Sequence, residues 1–312
     1  MITIVGPTAS GKTSFAAHLA ERINSEVISA DSRQVYRGMD IGTGKDLSDY
    51  EVNGKHIPYH LIDILPAGYK YNLFDFQHDF HKVYDSMLRR GIKQPILCGG
   101  TGMYVEAVLK GYHLPDVEPN ESLREQLKGK SLDELTRILQ SYGPLHNKTD
   151  VDSAQRAIRA IEIAEYILQE KKGKSDKSIY TEFKPIESLI LCTHLSRDER
   201  RNRISERLKK RITEGMTDEV EHLISQGVKP EDLIYYGLEY KFVTLYLTGQ
   251  ITYQEMTKDL EIAIHQFAKR QMTWFRGMER RGFTLHRIPA LAPMSEKIER
   301  ALELMHQYHY EY

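Results

Sequence analysis

The residues Met1-Ile-Thr-Ile-Val-Gly-Pro-Thr-Ala-Ser-Gly-Lys-Thr13 constrain the fold more than any other part of the chain. A short apolar run passes directly into glycine-x-x-x-x-glycine-lysine-threonine, and an amphipathic stretch follows. That is the pattern of a P-loop set between a strand and a helix. Gly6, Pro7, Thr8, Ala9, Ser10, Gly11, Lys12 and Thr13 are therefore expected to cradle phosphate oxygens. Backbone N–H groups and the helix N-terminus favour negative charge there. Lys12 adds a point charge, and the Thr13 hydroxyl can hold Mg²⁺.

A P-loop needs a parallel sheet behind it, and the rest of the chain supplies the parts. Apolar runs at 2–5, 26–29, 60–64 and 95–98 alternate with helical patterns at 11–22, 73–90 and 102–110. Such alternation indicates an α/β fold. Leu114-Pro-Asp-Val-Glu-Pro119 is a break, after which the pattern is helical at 122–128, 132–142 and 152–169. The charged run 170–177 reads as a solvated loop. An apolar strand then returns at 187–194, followed by helices at 197–214, 217–226, 238–248 and 252–280, a strand at 283–288 and a helix at 295–306. The predicted organisation is a P-loop NTPase-like parallel sheet core at 1–114, a helical insertion at 115–184, and completion of the core with helices at 185–312.

Charge and cysteine content narrow the setting. Net formal charge is −1 over 312 residues, so partner charge must be read locally. Cys98 and Cys192 both lie in apolar runs and read as buried reduced thiols, which suits the cytoplasm. The strand that starts at residue 2 leaves no space for a signal peptide, and no apolar run is long enough to cross a bilayer. A cytoplasmic chain without membrane contact is expected.

Chemistry beyond the P-loop concentrates at strand ends. Asp31 opens Asp-Ser-Arg-Gln-Val-Tyr36 directly after the second strand. Ligands of open α/β sheets sit outside the carboxyl ends of strands. Asp31 is thus placed to hold Mg²⁺ or to take a proton from a nucleophile. The last strand of the first segment ends in Gly99-Gly-Thr-Gly102 without the acid that P-loop NTPases usually carry there. Its glycines are expected to let backbone approach a ligand, and Thr101 to contact a phosphate oxygen. Residues 197–215 hold eight Lys/Arg against four Asp/Glu, and Lys269-Arg-Gln-Met-Thr-Trp-Phe-Arg276 interleaves bases with aromatics. Such interleaving suits RNA loops. Gln155, Arg156 and Arg159 add a polar helical stripe within the insertion.

Taken in order, Gly6–Thr13, Asp31–Tyr36 with Gly38-Met-Asp-Ile-Gly-Thr43, His60-Leu-Ile-Asp63, Gly99-Gly-Thr101, Gln155-Arg-Ala-Ile-Arg159 and Ala268-Lys-Arg-Gln-Met-Thr-Trp274 resemble the bacterial tRNA dimethylallyltransferases. The likeness runs from about residue 2 to 276. It implies transfer of a dimethylallyl group from dimethylallyl diphosphate to N6 of the adenosine 3′-adjacent to the anticodon, with Mg²⁺ on Thr13. By the same resemblance Asp31, Thr101 and Lys12 are catalytic, and the P-loop holds the diphosphate. Asp31, Ser32, Arg33, Gln34, Thr101, Arg124, Gln155, Arg156, Arg159, Lys269, Arg270, Gln271, Trp274 and Arg276 meet the tRNA anticodon stem-loop. A monomer is expected. The chain departs from the family pattern at Leu238 and Glu239, where tyrosine and a base are usual, and it lacks a C-terminal zinc finger. A small-molecule P-loop kinase, a non-catalytic RNA-binding protein and a prenyltransferase acting on AMP or ATP remain as alternatives.

Overall fold

The computed structural model describes residues 1–145, 148–172 and 183–312. These form two compact units, Met1–Lys110 with Pro185–Tyr312, and Gly111–Lys184. The dividing points fall at 110/111 and 184/185. Residues 173–177 of the expected solvated loop lie outside the described residues.

In chain order the first unit begins with β1 (Ile2–Val5), α1 (Lys12–Arg22), β2 (Val27–Ser29), a short hairpin of β3 (Glu51–Val52) and β4 (Lys55–His56), β5 (Tyr59–His60), α2 (Leu73–Arg89), β6 (Ile96–Gly99) and α3 (Gly102–Lys110). The second unit holds α4 (Glu121–Leu127), α5 (Leu132–Ser141) and α6 (Ala154–Lys172). The first unit resumes with β7 (Leu189–His194), α7 (Arg197–Thr213), α8 (Met216–Ser225), α9 (Pro230–Tyr235), α10 (Leu238–Leu247), α11 (Tyr253–Arg280), β8 (Leu285–Pro289) and α12 (Met294–Gln307).

Among the described residues one six-stranded sheet runs β5-β2-β6-β1-β7-β8, every pairing parallel. The α/β sheet core expected from the sequence is therefore observed. β1, β6 and most of β7 are buried on both faces, as helix-covered parallel strands must be. Ile2 and Ile4 pack on one side with Phe15 and Leu19 of α1 and Leu304 of α12. Val5 and Leu97 pack on the other with Phe76, Val105 and the helices α7 to α11. A small separate core of Leu127, Leu135, Leu139, Ala157 and Ile161 holds the second unit together.

Local signals account for many helix starts. Capping boxes open α2 (Asn72/Asp75), α5 (Ser131/Glu134), α7 (Ser196/Glu199) and α11 (Thr252/Glu255). α9 has Pro230 at its first position and falls in a segment that carries no clear apolar period. The apolar run 60–64 yields strand only at Tyr59–His60, because Leu61 and Asp63 take positive φ (61° and 56°) and break the edge pairing. The 40–59 loop contains a 3₁₀ turn and the β3–β4 hairpin.

The edge of the sheet is locked by Glu26, which is buried. Its carboxylate accepts two hydrogen bonds of 2.6 Å from Arg90 at the end of α2 and pairs with His60 Nε2 at 2.7 Å. Burial alone raises this carboxyl, but the bonds from Arg90 and His60 outweigh it and hold it below the ordinary range. A depressed carboxyl stabilises the fold above its unfolded value, about 4.3, and loses that contribution as pH falls through the lower folded value. Glu26→Gln is expected to lower stability at neutral pH by about 1–2 kcal/mol, moderated because Arg90 is half exposed. The difference from the parent should shrink as pH falls from the ordinary carboxyl value through the lower folded one in denaturant melts; a gap that persists undiminished in acid would remove the carboxylate as its source.

Candidate active site

The strand order decides the site. β6 lies between β1 and β2, so the loops leaving these three neighbours emerge side by side at one carboxyl edge. They are the P-loop after β1, Ala30–Gln34 after β2, and Gly100–Thr101 after β6. Hydrogen bonds join them. Ala30 N–H donates to Cys98 O (2.8 Å), Thr101 N–H to Ala30 O (3.3 Å), and Ser32 N–H to Thr101 Oγ1 (3.3 Å). Asp31 Oδ1 accepts from Arg33 N–H at 2.9 Å. That bond fixes the carboxylate, and Oδ2 has no partner among the described residues.

The P-loop is built for an anion. α1 starts at Lys12 after Gly11 in a left-handed conformation, with no side-chain cap and no acid in its first turn. Among the described residues the N–H groups of Ala9, Ser10, Gly11, Lys12 and Thr13 have no partner, unlike those of the boxed helices. Lys12 Nζ donates to Pro7 O at 2.8 Å. Burial lowers the Lys12 pKa, Arg207 adds in the same direction, and Asp31 opposes it. Two of the expected residues offer a phosphate no N–H. Pro7 has no N–H to give, and the Thr8 N–H donates to Gln271 Oε1 at 2.9 Å. Ser10 Oγ pairs with Thr193 Oγ1 at the end of β7, 2.7 Å away.

α7 grips the loop from outside. Arg203 Nε donates to Ala9 O (2.8 Å), and Arg207 Nη1 to Thr8 Oγ1 (3.3 Å). These two sit one helical turn apart, so one face of the basic helix turns toward the P-loop. Sequence reading missed this; the i,i+4 arginine spacing was the available signal. Arg207 and Arg211 share Asp46 Oδ2 at 3.2 and 3.3 Å. Burial, then Arg207, pushes Arg211 down to about 10. The Glu239 carboxyl is raised by burial and opposed by Arg211 and Arg207. The acid at this unusual position thus has basic neighbours.

The glycine pair of β6 serves the protein itself. A Cβ on Gly99 would lie 2.2 Å from Ala30 O, and one on Gly100 would lie 2.5 Å from Gln271 Nε2. The close approach is to neighbouring protein atoms, where a ligand was expected. Gln271 is buried, donates to Gly100 O (3.0 Å) and accepts from Thr8 N–H. Its expected tRNA contact is corrected: both ends of its amide are consumed in joining two loops. Trp274 is also turned inward. Its Cδ1 lies 2.1 Å from where a Gly102 Cβ would stand, and Arg281 sits 5.4 Å over its ring. Lys269, Arg270 and Arg276 on the same helix are exposed.

Other expected contacts divide similarly. Gln34 spends its amide on Gly44 O (3.1 Å) and Ser29 Oγ (3.3 Å), which orders the 38–45 loop instead of facing outward. Arg33 is half exposed. Glu219 of α8 also holds that loop, accepting from the N–H groups of Asp40, Ile41 and Gly42 at 2.8, 2.7 and 3.1 Å. Asp63 pairs with the buried Lys45, which also binds Asp40 at 2.6 Å and Tyr36 O at 2.8 Å. In the second unit, Arg124 and Arg159 clamp the buried Glu162 at 2.6 and 3.1 Å. Glu162, unnoticed in the sequence, commits both arginines to structure. Gln155 and Arg156 stay exposed, the latter 3.5 Å from Asp152.

Gln271→Leu removes the bridge between the P-loop and Gly100. Inorganic diphosphate binding should weaken about tenfold in calorimetry, the scale of one or two lost hydrogen bonds. Unchanged affinity would mean that the loop holds its shape without Gln271.

Among the described residues no helix is long and apolar enough to cross a membrane. The IPP transferase family model matches residues 34–278, and the isopentenyl transferase model matches 1–59. The chain is 67% identical over 304 residues to tRNA dimethylallyltransferase 1 of Porphyromonas gingivalis, covering 97% of this chain and 98% of that one. It is 63% identical over 305 residues to tRNA dimethylallyltransferase 1 of Parabacteroides distasonis, covering 98% and 97%. The crystal structure of full-length tRNA isopentenylpyrophosphate transferase from Bacillus halodurans superposes with a TM-score of 0.71 at 30% identity, covering 98% and 95%. A parallel-sheet P-loop core, an acid beside it and this degree of likeness across the whole length together place the chain in the tRNA dimethylallyltransferase family.

Proposed function

We propose that the chain transfers the dimethylallyl group of dimethylallyl diphosphate to N6 of the adenosine 3′-adjacent to the anticodon of tRNA, acting as a monomer in the cytoplasm. The observation that supports this best is the meeting at one sheet edge of the segment that carries Asp31, the Gly100–Thr101 segment bonded to it, and the P-loop bridged to Gly100 by Gln271. The N6 lone pair forms a bond to the allylic carbon as the carbon–oxygen bond to diphosphate breaks. The N6 proton passes to Asp31, whose Oδ1 is held by Arg33 N–H. Charge builds on the leaving oxygens, where Lys12, the free N–H groups of Ala9–Thr13 and Thr101 are aimed.

Mg²⁺ fits the same place. Among the described residues the Thr13 hydroxyl, at the start of α1, has no hydrogen-bond partner and would hold the ion. When bound there with diphosphate oxygens and water, Mg²⁺ supplies charge neutralisation. On the RNA side, exposed Lys269, Arg270 and Arg276 of the first unit, with Arg197 near Arg200, offer a basic surface. Gln155 and Arg156 offer a second in the insertion.

The direct test incubates the protein with Mg²⁺, dimethylallyl diphosphate and an anticodon stem-loop, with AMP and ATP as parallel acceptors. Mass spectrometry should find the added dimethylallyl group on the adenosine beside the anticodon. Label on AMP or ATP alone would redirect the assignment to a small nucleotide acceptor. Asp31→Asn should cut kcat at least ~100-fold while stem-loop binding is kept; near-normal turnover would remove Asp31 as the base. Arg276→Ala should weaken stem-loop binding and reduce the slope of log K against log salt by about 1. An unaltered slope would place that side chain away from phosphate.

A further inference from the structure

Tyr235, the last residue of α9, leaves 49% of its surface exposed beside the reacting edge of the sheet. The Arg33 guanidinium lies 5.5 Å from its ring centre and Lys70 Nζ lies 5.8 Å away. The next residue, Tyr236, is fully buried and packs 4.4 Å from the ring of Tyr36. Its hydroxyl accepts from Gly68 N–H (2.6 Å) and donates to Tyr69 O (2.8 Å). The Tyr36 hydroxyl accepts from Tyr71 N–H at 3.1 Å. One buried tyrosine pair therefore anchors three things at once: α9 with Tyr235, the 66–71 segment with Lys70, and the box with Asp31 and Arg33. An exposed ring thus lies within cation–π range of Lys70 and of Arg33, the latter two residues along the chain from the proposed base.

We propose that Tyr235 is the stacking platform for one unpaired nucleobase of the anticodon loop, next to the adenosine that enters the site, with Arg33 and Lys70 binding the adjoining phosphates. The proposal rests on the tRNA reading above. Its chemistry is that of single-strand RNA recognition: a π-face for the base and cations for the backbone. Lys70 and Arg33 leave the ring for phosphate oxygens when RNA arrives, and the ring face they uncover receives the base. Neither a lipid surface nor an acidic peptide calls for an anchored ring beside two cations, one of them two residues along the chain from the proposed base.

The test measures prenyl transfer to the stem-loop by Tyr235→Ala, Tyr235→Phe and Lys70→Ala. Stem-loops carrying 2-aminopurine at each loop position in turn report stacking by fluorescence. Tyr235→Ala should raise the stem-loop KM about tenfold, the scale of one lost base stack, and leave dimethylallyl diphosphate affinity and the salt slope unaltered. Tyr235→Phe, which keeps the ring, should rescue most of the loss. Quenching at one loop position should be seen with the parent and Tyr235→Phe and be lost with Tyr235→Ala. Lys70→Ala should instead reduce the salt slope by about 1. Parent-like KM and quenching in Tyr235→Ala, or equal damage in Tyr235→Phe, would overturn the platform while the function stands. Absence of transfer by the parent protein to any stem-loop would overturn the tRNA reading and the platform with it.

Discussion

The site depends on the side-chain amide of Gln271. This one buried group accepts from the P-loop at Thr8 and donates to Gly100 at the end of β6. Leaving either partner unpaired in a buried setting would cost more than the bond itself contributes. Gln271 sits on the 28-residue α11, which also places Trp274 against the start of α3. The spacing between the two phosphate-facing loops is therefore set by a helix far away in sequence. Glycines at 99, 100 and 102 are the complement of that arrangement, since any side chain there would collide with Ala30, Gln271 or Trp274.

Charge is layered around this junction. Arg203, from an exposed position, and the part-buried Arg207 hold the P-loop, while Arg197 and Arg201 of the same helix are exposed. A single amphipathic helix thus supports the phosphate site with one face and presents bases to solvent with the other. The near-neutral total charge hides this, because the matching acids are spent elsewhere. Glu26, Glu106 and Glu162 are themselves buried and each is tied to an arginine, while the part-buried Glu219 holds N–H groups of the 38–45 loop. Basic surface is left over locally without a basic protein overall.

The insertion unit follows the same economy on a smaller scale. Among the described residues its apolar core is small, five buried side chains with part-buried ones such as Leu123 and Ile158 packed on them. Glu162 supplies direction by binding Arg124, Arg159 and the Asn120 N–H together. Burial raises this carboxyl, and the bonds from those three groups more than offset it. Two arginines that look like nucleic-acid contacts in the sequence are thereby mostly structural.

The P-loop, the parallel α/β core, the helical insertion and the bounds of most helices are local properties, and the sequence by itself determined them. Apolar period, capping boxes and glycine spacing act over a few residues and can be read without knowing what lies opposite. α9 and the β3–β4 hairpin escaped because short elements carry little periodicity. The broken strand after His60 escaped because positive φ at Leu61 and Asp63 leaves no mark in composition. Which polar side chains face outward was decided only by tertiary structure. Gln271, Gln34, Arg124 and Arg159 have the residue types of binding groups. Arg159 pairs locally with Glu162 and also reaches Val117 O at 2.6 Å, whereas Gln271, Gln34 and Arg124 meet partners far along the chain, and such pairing has no signature in either partner's own neighbourhood. The same holds for Tyr235, which is placed by a tyrosine pair whose members are 200 residues apart.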